Sequence, residues 1–503
     1  MNTYSTDKWP TERSIMHFMS GLKRWPTNAD RAGSVILQAG FLKMSDSGGR
    51  NVNFTVERYF KTVIITSKIS FQFIFGLFRN IFIEPSCSTD NSCTEVTAQA
   101  ASLLAAGAAF HYKHNQKTGD EMYLAFADDL LERADTLYEM SKINPKSYHL
   151  TIKDAAEFYK SWGGYNDEMI TASAWTYRAC EKRQELGDSP YDNNEIDTIC
   201  SKKIGYLNEA IAYHSDNFMY QVPSEESWDT KVLSGMYLLM DAVNNELVKN
   251  GEEASSFENF ADYLTMHTSQ IMKTSFLGMS KTPQGFPWYL QWGSARYASN
   301  LAFMGVIHNS LFEKYGLQND IAEEISELSS FTVQYLLGEN TAKQSFVVGY
   351  KKDDSYSTVE KPHHKSSACP KWGEDCGWDD FGFDGPNPHI LYGALVGGPG
   401  QSDDYVDDRN DYIKNEVTCD YNAGFTGAVV GLKKAYSDGL VSGLRSARKR
   451  NETGKTVSKK NRLDFEKKSR ENGGKVVTAN PAWMFRRYKK SVESMMEMKR
   501  KNK

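Results

Sequence analysis

Between Lys361 and Tyr436 the chain gathers His363, His364, Asp403, Asp404, Asp407, Asp408, Arg409, Asp411 and Glu416 among aromatic residues and glycines. A hydrophobic core does not select such a mixture, because every buried charge needs a partner. Carboxyl groups in this number suit general acid and base work, in which one group stays protonated and another ionised. Glu416 suits the protonated part. It stands at the start of an apolar, Gly- and Ala-rich helix and near many acids, and both desolvation and like charge raise a carboxyl pKa. The adjacent histidines could suggest a metal, but no H-x3-H and no third ligand at useful spacing accompanies them.

The spacing adds a second layer. Tyr405, Asp407, Tyr412, Glu416, Asn422 and Ala423 stand in the register of the catalytic signature of glycoside hydrolase family 9, the endoglucanases that cut β-1,4-glucan, and the stretch resembles it closely. The family's other signature, a valine-rich run leading to P-H-H-R, is met by Ser345 to Tyr350 and then by Pro362, His363 and His364, with a longer spacer and with Lys365 in place of the arginine. Lysine keeps the charge and loses the bidentate fork.

The resemblance implies an inverting glycosidase with Glu416 as general acid, Asp407 orienting or electrostatically tuning the site, and His363 bonding sugar hydroxyls near the cleavage point. An inverting pair stands roughly 6.5–9.5 Å apart, with room for a water. His364, Lys365 and Tyr421 would join the substrate contacts. In W-G-S-A-R-Y, Trp292 resembles the family's sugar-stacking tryptophan and Arg296 its cleft arginine; Trp292 as plain core is the alternative. G-G-Y-N-D-E resembles the family's calcium loop, which implies Ca²⁺ held by backbone oxygens of Gly163 and Gly164 and by Asp167 and Glu168, with Asp229 as a fifth ligand; hard oxygen donors suit that ion. The alternative is that Asp167 and Glu168 are ordinary acids at a helix N-terminus. Cys369 and Cys376 pair in the way animal members of the family look, or remain two buried thiols.

The elements that must position these residues read as helices. From Thr94, a suitable N-cap, an Ala-rich run predicts a closely packed helix. Further helical periodicity covers 121–141, 151–161, 167–184, 202–214, 230–246, 257–274, 296–315, 320–337, 389–396 and 422–436. No succession of strands accompanies them, so the fold class is all-α. The resemblance implies an (α/α)6 toroid, incomplete at its N-terminal helices; composition alone does not separate it from an α-solenoid, although no constant repeat period is present. Three dense connections, 161–168, 282–296 and 339–388, would gather with 399–416 along one cleft, since long loops inside a compact domain are usually functional.

At 503 residues, 40% hydrophobic and 13% aromatic, the chain is globular with ample material for a core. Its net charge of −5 hides a basic segment after 437, with about 20 Lys and Arg against about 7 acids. That segment reads as a solvated tail in preference to a nucleic-acid or membrane contact, and no nucleic-acid or membrane partner is expected. Residues 62–78 are apolar apart from Lys68, short of the ~20 residues of a spanning helix, and read as a buried helix or strand pair. Seven cysteines fit no complete disulfide framework. No signal peptide is visible at the start, whereas the resemblance implies an extracellular enzyme.

The expected organisation is therefore an unassigned segment 1–92, a catalytic-like domain 93–436 and a basic tail 437–503. One part of the pattern is missing. Family 9 enzymes take their base from D-A-G-D, and this sequence has no such motif. Residues 1–92 read as a replacement segment or a mis-assembled start of a coding sequence. Two functions compete for the domain: an endoglucanase acting on β-1,4-glucan, and a glucan-binding homologue impaired in catalysis. A helical interaction protein using the basic tail is the third.

Overall fold

The computed structural model describes residues 94–152, 156, 159–187, 194–370 and 376–437, and the backbone of five strands between 32 and 84. The strands are β1 (Ala32–Leu37), β2 (Gly40–Ser45), β3 (Asn53–Glu57), β4 (Thr62–Thr66) and β5 (Ile81–Glu84). They form one sheet in the order β1-β2-β4-β3-β5, antiparallel except for the β2–β4 pair. β4 makes the first five residues of the apolar run 62–78 a strand, and the rest of that run lies outside the described residues. The basic tail lies outside the described residues.

Beyond the sheet the described chain is helical: α1 (Thr94–Thr118), α2 (Glu121–Ser141), α3 (Asn166–Gln184), α4 (Asn194–Ser201), α5 (Lys203–Asn217), α6 (Val232–Asn250), α7 (Glu258–Ile271), α8 (Ser294–Lys314) and α9 (Ala322–Leu336). Single turns α10 (Lys365–Ala368), α11 (Trp378–Phe381) and α12 (Tyr412–Asn415) precede the last long helix, α13 (Cys419–Ser437). Two expected helices are corrected. The described part of 151–161 holds no α-helix beyond the short 3-10 turn Tyr148–Leu150 that precedes it. Residues 389–396 form a loop, because Gly393 adopts a left-handed φ of 85° and Leu395 and Val396 bridge to Val347 and Val417. α4, only 8 residues long, was not foreseen from periodicity.

Packing sorts the helices into two rows. α1, α3, α6, α8 and α13 touch in that order, while α2 packs on α1, α5 on α3, α7 on α6, and α9 on both α8 and α13. Small residues let the first row approach closely: Ala98, Ala101, Ala105 and Ala108 of α1 are fully buried. Where α13 crosses α8, a Cβ on Gly427 would stand 2.7 Å from the Phe303 ring and one on Gly431 2.5 Å from Val306. Among the described residues this is the two-ring (α/α)6 architecture with five first-row helices in place of six, and β1 packs against both α1 and α13, the two ends of the arc. Each second-row helix carries the chain back, so the first-row helices run parallel and present their N-termini at one end. Among the described residues no helix is long and apolar enough to cross a membrane.

The first row also buries neutral histidine. His308 of α8 is fully buried with Nδ1 3.0 Å from the Tyr237 hydroxyl of α6, and burial pushes its pKa down to about 4. An unfolded histidine binds its proton near 6.5. The unfolded chain therefore holds the extra proton between pH 6.5 and 4, and the stability contributed by neutral His308 is lost as pH falls through that window, on the order of 3 kcal/mol in all. Urea midpoints of wild type and His308→Gln should converge between pH 6.5 and 4; a constant difference across that range refutes the assignment.

Candidate active site

The N-terminal end of the first row is where the sequence-selected residues meet. Trp292 lies two residues before α8 and Glu416 three residues before α13, so the α8–α13 contact sets their separation. The Trp292 indole Nε1 donates to Glu416 Oε2 at 2.8 Å, and the Tyr421 hydroxyl donates to the same oxygen at 3.1 Å. Burial, followed by the Glu416 charge, holds the Tyr421 phenol far above its ordinary pKa, so it remains a donor. Gly293 makes this possible: its φ is 70°, and a Cβ there would lie 2.7 Å from the Tyr421 hydroxyl. Trp292 is 47% exposed, which removes its core reading, and packs 5.1 Å from the exposed Tyr412 ring.

His363 joins from another loop. Its backbone bridges to Glu416, its N–H donating to Asn415 O at 2.7 Å. Its Nδ1 lies 2.7 Å from the Arg409 carbonyl, an acceptor only, so Nδ1 carries a proton and Nε2 is the acceptor of the neutral ring. The Phe381 and Tyr412 rings stand edge-on to the imidazole at 5.3 and 6.0 Å. His364 instead caps α10, its Nδ1 accepting from Ser367 N at 3.1 Å. Lys365 lays its ammonium over the exposed Trp378 ring at 4.7 Å.

Asp407 holds backbone. Its carboxylate accepts from the Glu360 and Lys361 amides at 2.7 and 3.0 Å, and so clamps the segment leading to His363; burial raises its pKa while those amides oppose the shift. Arg296 is corrected as a cleft contact. It is 6% exposed, paired with Asp420 at 3.0 Å and bonded to the Tyr297 hydroxyl at 2.6 Å, with its guanidinium 5.2 Å from the Tyr421 ring centre. Burial in a compact helical end leaves it no open face, and it supports Tyr421 from beneath. Tyr405 and Asn415 complete the frame: the phenol bonds Asn415 Oδ1, and Asn415 Nδ2 donates to Val406 O at 2.9 Å.

The oxygen-rich loop sits at the same end, beside the N-termini of α1, α3 and α6. Asp167 and Glu168 are buried in the first turn of α3. Asp167 Oδ2 accepts from Lys231 N at 2.6 Å and Glu168 Oε1 from Lys231 Nζ at 2.9 Å, while Asp167 Oδ1 and Glu168 Oε2 are buried with no hydrogen-bond partner. Asp229 lies against the same loop, accepting from Trp162 N at 2.8 Å. A Cβ on Gly163 would come within 2.8 Å of the Asp229 carbonyl, so the backbone closes tightly there. Among the described residues no three carboxylates, imidazoles or thiols converge as a metal-binding group. The two orphaned carboxylate oxygens nonetheless fit a hard cation completed by backbone carbonyls.

Sequence reasoning missed several residues of this end. Glu95, at the start of α1, accepts from Ser161 Oγ and from Tyr148 N, and burial raises its pKa to about 7. Trp162 and Trp378 are 75% and 68% exposed. Only their aromatic type next to glycine-rich turns could have marked them.

Residues 83–429 match the profile of Glycosyl hydrolase family 9. The chain is 31% identical over 345 residues to an Endoglucanase of Dictyostelium discoideum, covering 69% of this chain and 40% of that protein. It is 32% identical over 365 residues to Endoglucanase A of Bacillus pumilus, covering 71% and 47%. The chain thus spans less than half the length of these two relatives. An endoglucanase structure from the termite Nasutitermes takasagoensis superposes with a TM-score of 0.53 at 28% identity, over 71% of this chain and 68% of that one. The catalytic domain of CelT from Clostridium thermocellum gives 0.52 at 25% identity, over 71% and 64%. With the matched region spanning the whole helical arc and the Glu416 cradle, the chain belongs to glycosyl hydrolase family 9.

Proposed function

We propose that the chain is an endo-β-1,4-glucanase that cleaves internal glucosidic bonds with inversion, with Glu416 as the general acid. The observation that carries this reading is the convergence of the Trp292 and Tyr421 donors on one oxygen of Glu416. Held by Oε2, the carboxyl group is fixed in rotation, and Oε1 is the oxygen that delivers a proton to the departing sugar. Trp292 and Tyr412 offer apolar faces on which a pyranose ring can stack, and His363 Nε2 accepts from a sugar hydroxyl. His364 and Asp407 act indirectly, by shaping the loop that carries His363. Lys365 is a further substrate contact in the place of the family's arginine.

A second reading has its own support. Asp407 is spent on the Glu360 and Lys361 amides and Asp420 on Arg296, so neither is placed to activate water, and the sequence holds no D-A-G-D. Such a chain binds glucan without turning it over. Hydrolysis of carboxymethylcellulose separates the two, with cellotetraose calorimetry as the binding arm. Under the first reading Glu416→Gln lowers kcat by ~10²–10⁴-fold. A variant at the wild-type rate overturns the acid assignment, and binding without any wild-type hydrolysis favours the second reading.

We also propose a structural Ca²⁺ at Asp167 and Glu168 with the Gly163 and Gly164 carbonyls, supported by the two orphaned oxygens; Asp229 then serves by holding the loop. An ion that binds only the folded state stabilises it by about 2.7 kcal/mol at a hundred times its dissociation constant. A chelator should lower the melting temperature by several degrees, and Asp167→Asn should abolish the difference. An unchanged melting temperature removes the ion. Secretion is proposed on the family resemblance and on two disulfides, Cys180–Cys200 and Cys369–Cys376, a bond type that persists in oxidising compartments. These four cysteines should resist alkylation until reduced.

A further inference from the structure

Arg409 is 3% exposed, and among the described residues no carboxylate accepts from its guanidinium. Its Nε donates to Asn387 Oδ1 at 2.6 Å, Nη1 to the Phe381 and Phe383 carbonyls at 2.9 and 2.8 Å, and Nη2 to the Gly385 carbonyl at 2.7 Å. The plane also lies 4.5 Å from the Phe383 ring centre. Asp407, Asp408 and Asp384 act on its charge from a distance, but every hydrogen bond its guanidinium makes goes to a neutral acceptor. What it does is organise: one side chain gathers four points of the 381–387 loop.

That loop and the backbone of Arg409 enclose His363. The Arg409 carbonyl accepts from Nδ1–H, and Phe381, tethered through its own carbonyl, supplies the edge contact to the imidazole. Asn387 extends the clasp, donating to Pro362 O at 3.1 Å and Ser367 Oγ at 2.6 Å on either side of the two histidines.

We propose that Arg409 is a positioning residue for His363: its guanidinium fastens the 381–387 loop so that its own carbonyl fixes the imidazole in the Nδ1–H form, leaving Nε2 as the acceptor toward substrate. The proposal rests on the glycosidase reading of the site only for its kinetic consequence. A lysine in this place keeps the charge, but its single nitrogen cannot reach four acceptors in one plane.

The test uses the full chain labelled with ¹⁵N-histidine, the His363 signals being identified by their loss in His363→Gln. Wild type should show one tautomer, protonated at Nδ1. Arg409→Lys should show both tautomers in exchange, with kcat/KM on cellotetraose lowered at least tenfold. Asn387→Ala, which removes one acceptor and leaves the guanidinium, should move both readouts in the same direction by less, and serves if Arg409→Lys does not fold. A single Nδ1–H tautomer in both variants overturns the proposal, as does an Nε2–H tautomer in wild type. If wild type hydrolyses no glucan, the tautomer still decides the role of Arg409 and only the glucanase reading falls.

Discussion

The closeness of α8 to α13 is the constraint on which the site depends. Gly424, Gly427 and Gly431 stand where α13 meets Asn300, Phe303 and Val306 of α8, and side chains at these positions would push the helices apart. Overpacking of this kind costs about 1–3 kcal/mol in a well-packed core and shifts backbone as it does so. Trp292 and Glu416 hang from the two N-termini, so an ångström of separation here is an ångström between indole and carboxylate. Glycine, which weakens a helix taken alone by roughly 0.5–1 kcal/mol, is offset by what the contact positions.

Around that contact the molecule buries charge in three different ways. Arg296 is neutralised by Asp420 and lies beneath Tyr421. Lys231 is buried among carboxylates that outnumber it, which leaves oxygens without partners. Arg409 is satisfied by carbonyls alone. The three solutions match three tasks: bracing an aromatic donor, holding an acidic pocket together, and folding a loop. A fourth case is Glu226, which burial raises to about pH 8, so that at neutral pH it is a neutral acid within the protein.

Much of this was legible in the sequence, where function fixes residue types at short spacings. The run from Tyr405 to Ala423 could be read because one loop and one helix start carry it all. The helices of the first row could be read from periodicity and from alanine content. What could not be read depends on contacts between distant segments. Asp407 is expected to orient or electrostatically tune the site, but its partners, the backbone amides of 360 and 361, lie some 46 residues away and leave no local mark; Arg296 matches a cleft residue by its motif, and the fold buries it against Asp420, 124 residues away. Apolar spacing in 389–396 imitated a helix because pattern ignores the left-handed Gly393. Nothing local marks Asn387 or Glu95, whose partners lie twenty to sixty-six residues off.

α3 is fastened at both ends by different chemistry. Near its C-terminus Cys180 is bonded covalently to Cys200 of α4, while its first turn is held through Asp167 and Glu168 by Lys231. The rear anchor answers to thiol–disulfide exchange and is indifferent to charge; the front one answers to protonation and ions and is indifferent to reductant. The two ends of the helix are therefore held by bonds that respond to separate features of the surrounding medium.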